Sequence, residues 1–163
     1  VINFSDGMDG LAGTLTAISA GTLFIVALVK GQDQSAMMAI ILLAAAIAYL
    51  KYNKPPAKIF MGDAGATFLG YILAVIALDG VFKQATLLSL FIPILALGVP
   101  IFDNLFVVFR RLLQGKPIYQ ADASQVHYRL LRAGYNNRQA LTLLTLLSLC
   151  LGLSSIILLL VEA

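Results

Sequence analysis

Charged residues along the chain are separated by long apolar stretches. Twenty uncharged residues lie between Asp9 and Lys30, 17 between Asp33 and Lys51, and 15 between Asp63 and Asp79. A further 19 lie between Lys83 and Asp103, and 23 between Arg138 and Glu162. A helix needs about 20 mostly apolar residues, within a range of roughly 17–25, to cross a bilayer. Four of the five runs fall in that range, and the third reaches it if Asp63 sits at the membrane edge. The spacing predicts five transmembrane helices, at about 11–30, 35–52, 63–79, 85–109 and 138–161. Backbone groups in hydrocarbon must be satisfied internally, which makes these runs helices rather than open strands. They are rich in Leu, Ala and Ile and do not alternate, which argues against a barrel. Pro93 and Pro100 fall in the fourth run, and each removes a helical hydrogen bond, so that helix is expected to be kinked or broken. The predicted fold is an all-α polytopic integral membrane protein, one membrane domain over residues 1–163 with a polar loop at about 111–137.

Composition strengthens the membrane reading. The 163 residues are 60% hydrophobic and 12% charged, against roughly 45–50% and about 25% in soluble domains. So little polar surface cannot cover a water-soluble core. Trp is absent, which leaves six Tyr for the interfacial belt. Cys150 stands alone in an apolar run and reads as a small packing residue. The chain starts Val-Ile-Asn-Phe with no basic leader or small-residue cleavage site, and is expected to be a piece whose natural start lies upstream.

Charge fixes an orientation. With Asp6 and Asp9 on one side, five crossings put Lys51, Lys54, Lys58, Arg110, Arg111, Lys116, Arg129, Arg132 and Arg138 on that same side, nine of the 11 basic residues. Lys30 and Lys83 fall opposite. The positive-inside rule makes the first side cytoplasmic. Topology therefore explains the basic excess, and no nucleic acid is needed as a partner. The same count places Asp6, Asp9, Asp63, Asp103, Asp122 and the only His, His127, at the cytoplasmic face.

Four motifs carry these groups. The first is Asn3-Phe-Ser-Asp6-Gly-Met-Asp9-Gly-Leu-Ala-Gly. On a helix Asp6 and Asp9 would share a face, and two such carboxylates repel unless a cation or proton lies between them. Their hard oxygens suit Mg²⁺, and a polar turn capping the first span explains them equally well. The run lacks the closing Glu of an EF-hand. The second motif, Phe60-Met-Gly62-Asp63-Ala-Gly65-Ala-Thr67, opens the third span. Asp63 fits a helix start, and an ionisable group at membrane depth also suggests function. Lys58 nearby could meet a phosphate or snorkel to the surface. In the third, Pro100-Ile-Phe-Asp103-Asn104, the polar pair faces either a polar cavity or a structural partner such as Arg110, Arg111 or a helix hydroxyl. The fourth is the loop motif Asp122-Ala-Ser-Gln125-Val-His127-Tyr128-Arg129, whose His and Arg suit anionic oxygens or plain solvation. No nucleophilic triad, Walker loop, dinucleotide fingerprint or zinc spacing is present.

Taken in order, the motifs resemble the polyprenyl-phosphate N-acetylhexosamine-1-phosphate transferases of glycosyltransferase family 4, relatives of the phospho-N-acetylmuramoyl-pentapeptide transferases. Asn3 to Gly13 resembles the family's Asn-x-x-Asp-Gly-x-Asp-Gly-Leu-Ala segment, and Phe60 to Gly65 its Phe-Met-Gly-Asp-x-Gly segment. Pro100 to Arg111 and Gln120 to Gly134 resemble the later part of the sugar-phosphate branch. The resemblance covers the whole chain but only the carboxyl-terminal half of the family. It implies Mg²⁺-dependent transfer, with Mn²⁺ as an alternative ion, of a sugar-1-phosphate from a UDP-sugar to a polyprenyl phosphate such as undecaprenyl phosphate, releasing UMP. The expected sugar is N-acetylglucosamine, the expected place the plasma membrane with the site facing the cytoplasm, and a homodimer is an open assembly. Asp6, Asp9 and Asp63 become the catalytic acids, Asp63 and Asp9 the metal ligands, and Asn3, His127 and Arg129 the substrate-binding residues.

Two departures stand out. The family's early Asp-Asp motif is absent and is expected upstream of Val1, so the chain by itself is short of a full catalytic set. The loop signature usually reads Asp-Arg-x-His-x-His-His-Arg, whereas Ala123, Gln125 and Tyr128 stand at three of its positions here. The Arg-Leu-Leu-x-x-Gly continuation favours the sugar-1-phosphate branch over the peptidoglycan-precursor branch. A transporter would instead spread its charges through the membrane depth, and a catalytically dead relative would serve as a membrane scaffold.

Overall fold

The computed structural model describes residues 2–82, 87–115 and 125–162. Lys83, Lys116, Gln120, Asp122 and Ala123, which entered the charge count and the loop motif, lie outside them. The elements in order are α1 (Ile2–Ser5), α2 (Leu11–Val29), α3 (Asp33–Asn53), α4 (Gly62–Phe82), α5 (Leu87–Ala96), α6 (Gly98–Leu113), α7 (Val126–Arg132) and α8 (Asn137–Glu162). The fold is all-α and multi-pass. α2, α3, α4 and α8 are each long and apolar enough to cross a bilayer. They match four of the five spans read from charge spacing. The fifth is α5 followed by α6, bent by 87° between Leu90–Ala96 and Gly98–Leu113. The short helices α1 and α7 were hidden in segments read as a polar turn and a loop.

The break is anchored by its neighbours. Pro100 has no N–H, so the Ala96 carbonyl loses its helical donor. The Ser19 hydroxyl on α2 donates to that carbonyl at 2.8 Å. The Ser155 hydroxyl on α8 donates to the Ile92 carbonyl at 2.8 Å. Both serines are fully buried. Hydroxyls from packed helices thus satisfy backbone groups along the bend, the condition under which a broken helix survives away from water.

α2 is apolar all round, as a central helix should be, and touches α1, α3, α4, α5 and α8. One core cluster joins Ala20 and Leu23 of α2 to Leu42 of α3, Ile76 of α4 and Ala96 of α5. A second joins Leu11 and Leu15 to Val99 of α6 and to Ala140 and Leu144 of α8. Outward faces are apolar too: Ile41 is 62% exposed, Phe68 60% and Leu153 59%, as lipid-facing side chains would be. A reciprocal pair starts α8. Gln139 N–H donates to Asn136 Oδ1 at 2.9 Å and Asn136 N–H to Gln139 Oε1 at 3.0 Å, a capping box. At the end of the bundle where α2 gives way to α3, the Ser35 hydroxyl donates to Asp79 Oδ2. The other motif acids lie at the opposite end.

Ser19→Ala removes the donor to Ala96 and is expected to destabilise the protein by about 1 kcal/mol, the usual size of an interhelical hydrogen bond in a membrane protein. Denaturation of the purified protein in detergent measures this; an unchanged midpoint would show that the break does not depend on Ser19.

Candidate functional site

The first motif is not a helix through its acids. Residues 6–10 form turns between α1 and α2, and Gly10 adopts φ 79°, a left-handed conformation that costs glycine little. The face shared by Asp6 and Asp9, expected on a helix, is therefore absent, and the two carboxylates go separate ways. Asp9 Oδ2 accepts the Ala57 N–H at 3.0 Å. Beside it Asn53, only 3% exposed, accepts the Gly10 N–H on Oδ1 at 2.9 Å and donates from Nδ2 to the Ile59 carbonyl at 2.8 Å. One buried amide thus ties the Asp9–Gly10 turn to the connection that leads into Asp63.

Asp6 turns towards Asp63 instead. Burial, and then the Asp63 charge, raise the Asp6 carboxyl above the ordinary Asp range. Asp63 stands in the first turn of α4, and Asn3 of α1 reaches it across 60 residues. Asn3 Nδ2 donates to Asp63 Oδ1 at 3.3 Å, to its carbonyl at 3.4 Å and to Thr67 Oγ1 at 3.5 Å. The Tyr49 hydroxyl is shut off from solvent and interacts with both Asp6 and Asp9. Among the described residues no group of three His, Cys, Asp or Glu side chains gathers tightly enough to chelate a metal alone. Two hard carboxylates that repel each other are what a Mg²⁺ site needs when water and substrate phosphates complete the shell. The donor types fit that ion; of the two turn acids, Asp6 is the one that feels the Asp63 charge, while Asp9 has one oxygen on the Ala57 N–H.

The third and fourth motifs meet. Asp103 on α6 accepts the Val126 N–H at the start of α7 on Oδ1 at 2.8 Å. Its partner is thus a loop helix rather than Arg110 or Arg111. Arg129 lies with its guanidinium carbon 4.8 Å from the centre of the Phe106 ring, a cation–π contact. His127, on the other face of α7, is 1% exposed, and neither ring nitrogen has a hydrogen-bond partner among the described residues. It packs on the Asp6–Asp9 turn, where a Cβ at Gly7 would stand 2.5 Å from His127 Nε2. Gly7 therefore leaves room for the ring. Burial lowers the His127 pKa to about 4, so the imidazole is neutral at physiological pH.

Beneath these groups opens an apolar groove of about 760 Å³, walled by Leu15, Phe106 and Leu147, with Ser5, Asp103 and Arg129 as its polar members. Ser5 is the neighbour of Asp6, so the groove runs up to the acid cluster. Asn3, Asp6 and Asp63 are brought together, Asp9 stands beside them, and α7 brings His127 and Arg129 to the rim. Sequence reasoning missed Tyr49 and Asn53, and it quoted Thr67 in the second motif without its contact to Asn3. Tyr49 and Asn53 end an apolar span, where an interfacial aromatic and a polar helix end look ordinary.

The fold and site define a polytopic helical membrane protein with acids gathered at one end of its bundle, next to an apolar groove. The glycosyl transferase family 4 model matches residues 1–81. The chain is 41% identical over 157 residues to a probable undecaprenyl-phosphate N-acetylglucosaminyl 1-phosphate transferase of Bacillus subtilis, covering 96% of this chain and 44% of that protein. It is 31% identical over 159 residues to an undecaprenyl-phosphate alpha-N-acetylglucosaminyl 1-phosphate transferase of Yersinia pestis, covering 95% and 44%, and 30% identical over 148 residues to the protein of that name in Escherichia coli, covering 88% and 40%. The chain belongs to glycosyltransferase family 4. It spans less than half the length of these curated relatives.

Gly7→Ala should lower stability by about 1–3 kcal/mol through overpacking against His127. At an unobstructed position the same change would stabilise by about 0.4–1 kcal/mol, so the sign of the shift in a detergent melt decides whether the ring packs there. His127 gives a second check. Its folded pKa, about 4, lies below the ordinary 6.5, so the unfolded chain binds more protons between those values and stability is lost as pH falls through that window. The melting-temperature advantage of wild type over His127→Gln is expected to shrink from pH 6.5 towards pH 4; a constant difference would contradict the buried neutral imidazole.

Proposed function

We propose that the full-length protein containing this chain transfers N-acetylglucosamine-1-phosphate from its UDP-sugar to undecaprenyl phosphate, releasing UMP, in cell-envelope polysaccharide synthesis. The observation that carries this reading is the adjacency of a repelling carboxylate pair, Asp6 and Asp63, to an apolar groove that ends at Arg129. One end suits diphosphate and cation, the other an isoprenoid chain. The names of the relatives support the same donor fragment and acceptor.

The chemistry follows from the charges. An oxygen of the acceptor phosphate displaces UMP at the sugar-bearing phosphorus, so one P–O bond forms as another breaks. Both reactants are anionic, and such a transfer depends on positioning and charge neutralisation. Asp6 and Asp63 would hold Mg²⁺, or Mn²⁺ in its place, and the ion would supply charge neutralisation on the pyrophosphate. Asn3 fixes the Asp63 carboxylate. Arg129 offers a cation at the mouth of the groove, and neutral His127 offers one donor and one acceptor nitrogen without adding charge. Asp9, with one oxygen committed to Ala57, keeps the turn in place and leaves its other oxygen for the nucleotide side. The basic residues on the same side as the acids support a site that faces the cytoplasm, and the plasma membrane is the location this reading assigns.

Asp63→Ala in the full-length protein is expected to cut Mg²⁺-dependent UMP release by roughly 100- to 1000-fold, the scale seen when one charge-stabilising group is lost. Measuring UMP release from UDP-N-acetylglucosamine with undecaprenyl phosphate in detergent tests this; undiminished release would remove Asp63 from the mechanism.

A further inference from the structure

We propose that Asp103 is a positioning residue for this reaction: its carboxylate holds the start of α7, so that His127 stays packed on the turn beside Asp6 and Arg129 stays at the groove. The proposal rests on the transferase reading above. α7 has seven residues, Val126–Arg132, and helices shorter than about 12–15 residues are marginal in water without outside support. Its own N-cap residue, Gln125, is extended and makes no side-chain capping bond. Such a start leaves N–H groups without partners. Asp103 supplies the missing cap from another helix, through Oδ1 to the Val126 N–H at 2.8 Å. It does so from a buried position, 8% exposed.

The hold has a second point. Phe106 follows Asp103 by three residues, so both side chains lie on one face of α6, and Arg129 stacks on the Phe106 ring. A carboxylate and a ring on α6 therefore fix α7 at two places. With α7 held there, its other face drives His127 against Gly7, one residue from Asp6. The direction of α6 is itself set by the 87° break. A carboxylate in a mostly apolar wall is costly unless its bonds are used, and here they are used on the backbone of the helix that carries both substrate-side groups. Asp103 touches no reacting atom in this scheme. It acts through α7 in two ways: by an acceptor oxygen on the Val126 N–H, which Asn also has, and by its charge beside Arg129, which Asn lacks.

The test uses the full-length protein in detergent, with two readouts on Asp103→Ala and Asp103→Asn. One is UMP release; the other is hydrogen exchange of peptides covering residues 125–132, read by mass spectrometry. Asp103→Ala is expected to lower kcat/KM by about 100-fold, the cost of misplacing a site by about 1 Å, and to speed exchange in α7 while leaving α2 protected. Asp103→Asn is expected to fall between wild type and Asp103→Ala in both readouts, because it keeps the acceptor for Val126 and loses the charge beside Arg129. Unchanged α7 exchange in Asp103→Ala, full activity in that variant, or an Asp103→Asn protein as impaired as Asp103→Ala would each overturn the proposal. If the wild-type full-length protein released no UMP from UDP-N-acetylglucosamine and undecaprenyl phosphate, the transferase reading would fail instead, and the exchange measurement would still report whether Asp103 holds α7.

Discussion

Two carboxylates lie close enough at one end of the helical bundle for one to feel the other. Asp6 comes from the turn after α1 and Asp63 from the first turn of α4, and burial together with the Asp63 charge makes the Asp6 carboxylate costlier. Such a pair is held only because other groups fix it. Asn3 binds Asp63 from α1, and Asn53 ties the turn carrying Asp9 and Gly10 to the connection before α4. On the proposed reading, a cation bound there would relieve that repulsion.

The rest of the bundle can be read as support for this end. α2 runs down the centre and lends Ser19 to the break between α5 and α6, while α8 lends Ser155. The break swings α6 by 87°, which carries Asp103 and Phe106 to α7. α7 in turn closes on the turn beside Asp6 through His127. Two prolines in an apolar run thus reach the acid pair through a sequence of backbone hydrogen bonds and one packed ring. The groove under Arg129 lies between α6 and α8, with Phe106 on one wall and Leu147 on the other.

The spans were legible because charge spacing in a membrane protein is set by bilayer thickness, a constraint outside the chain itself. Pro93 and Pro100 announced a break in the same way. Its angle was not legible, since that depends on which neighbour offers Ser19 and Ser155. That Asp6 and Asp63 lie at one end followed from counting crossings, while Asn3 entered through the family resemblance. Their pairing did not: three-residue spacing suggested Asp6 with Asp9, but the glycines between and after them allow turns, and turns send adjacent carboxylates in different directions. Asn53 and Tyr49 were invisible because nothing local marks a buried amide or phenol at a helix end. Asp103 was seen as a costly polar group, but its partner, the α7 backbone, lies 23 residues on in a segment that read as loop.

The most direct test is Mn²⁺ binding to the full-length protein in the presence of UDP-N-acetylglucosamine, followed by electron paramagnetic resonance. If the facing carboxylates hold the ion, Asp6→Asn and Asp63→Asn should each abolish the bound signal, while Asp9→Asn retains it. A bound ion that survives Asp6→Asn and disappears with Asp9→Asn would contradict the pairing on which the account is built.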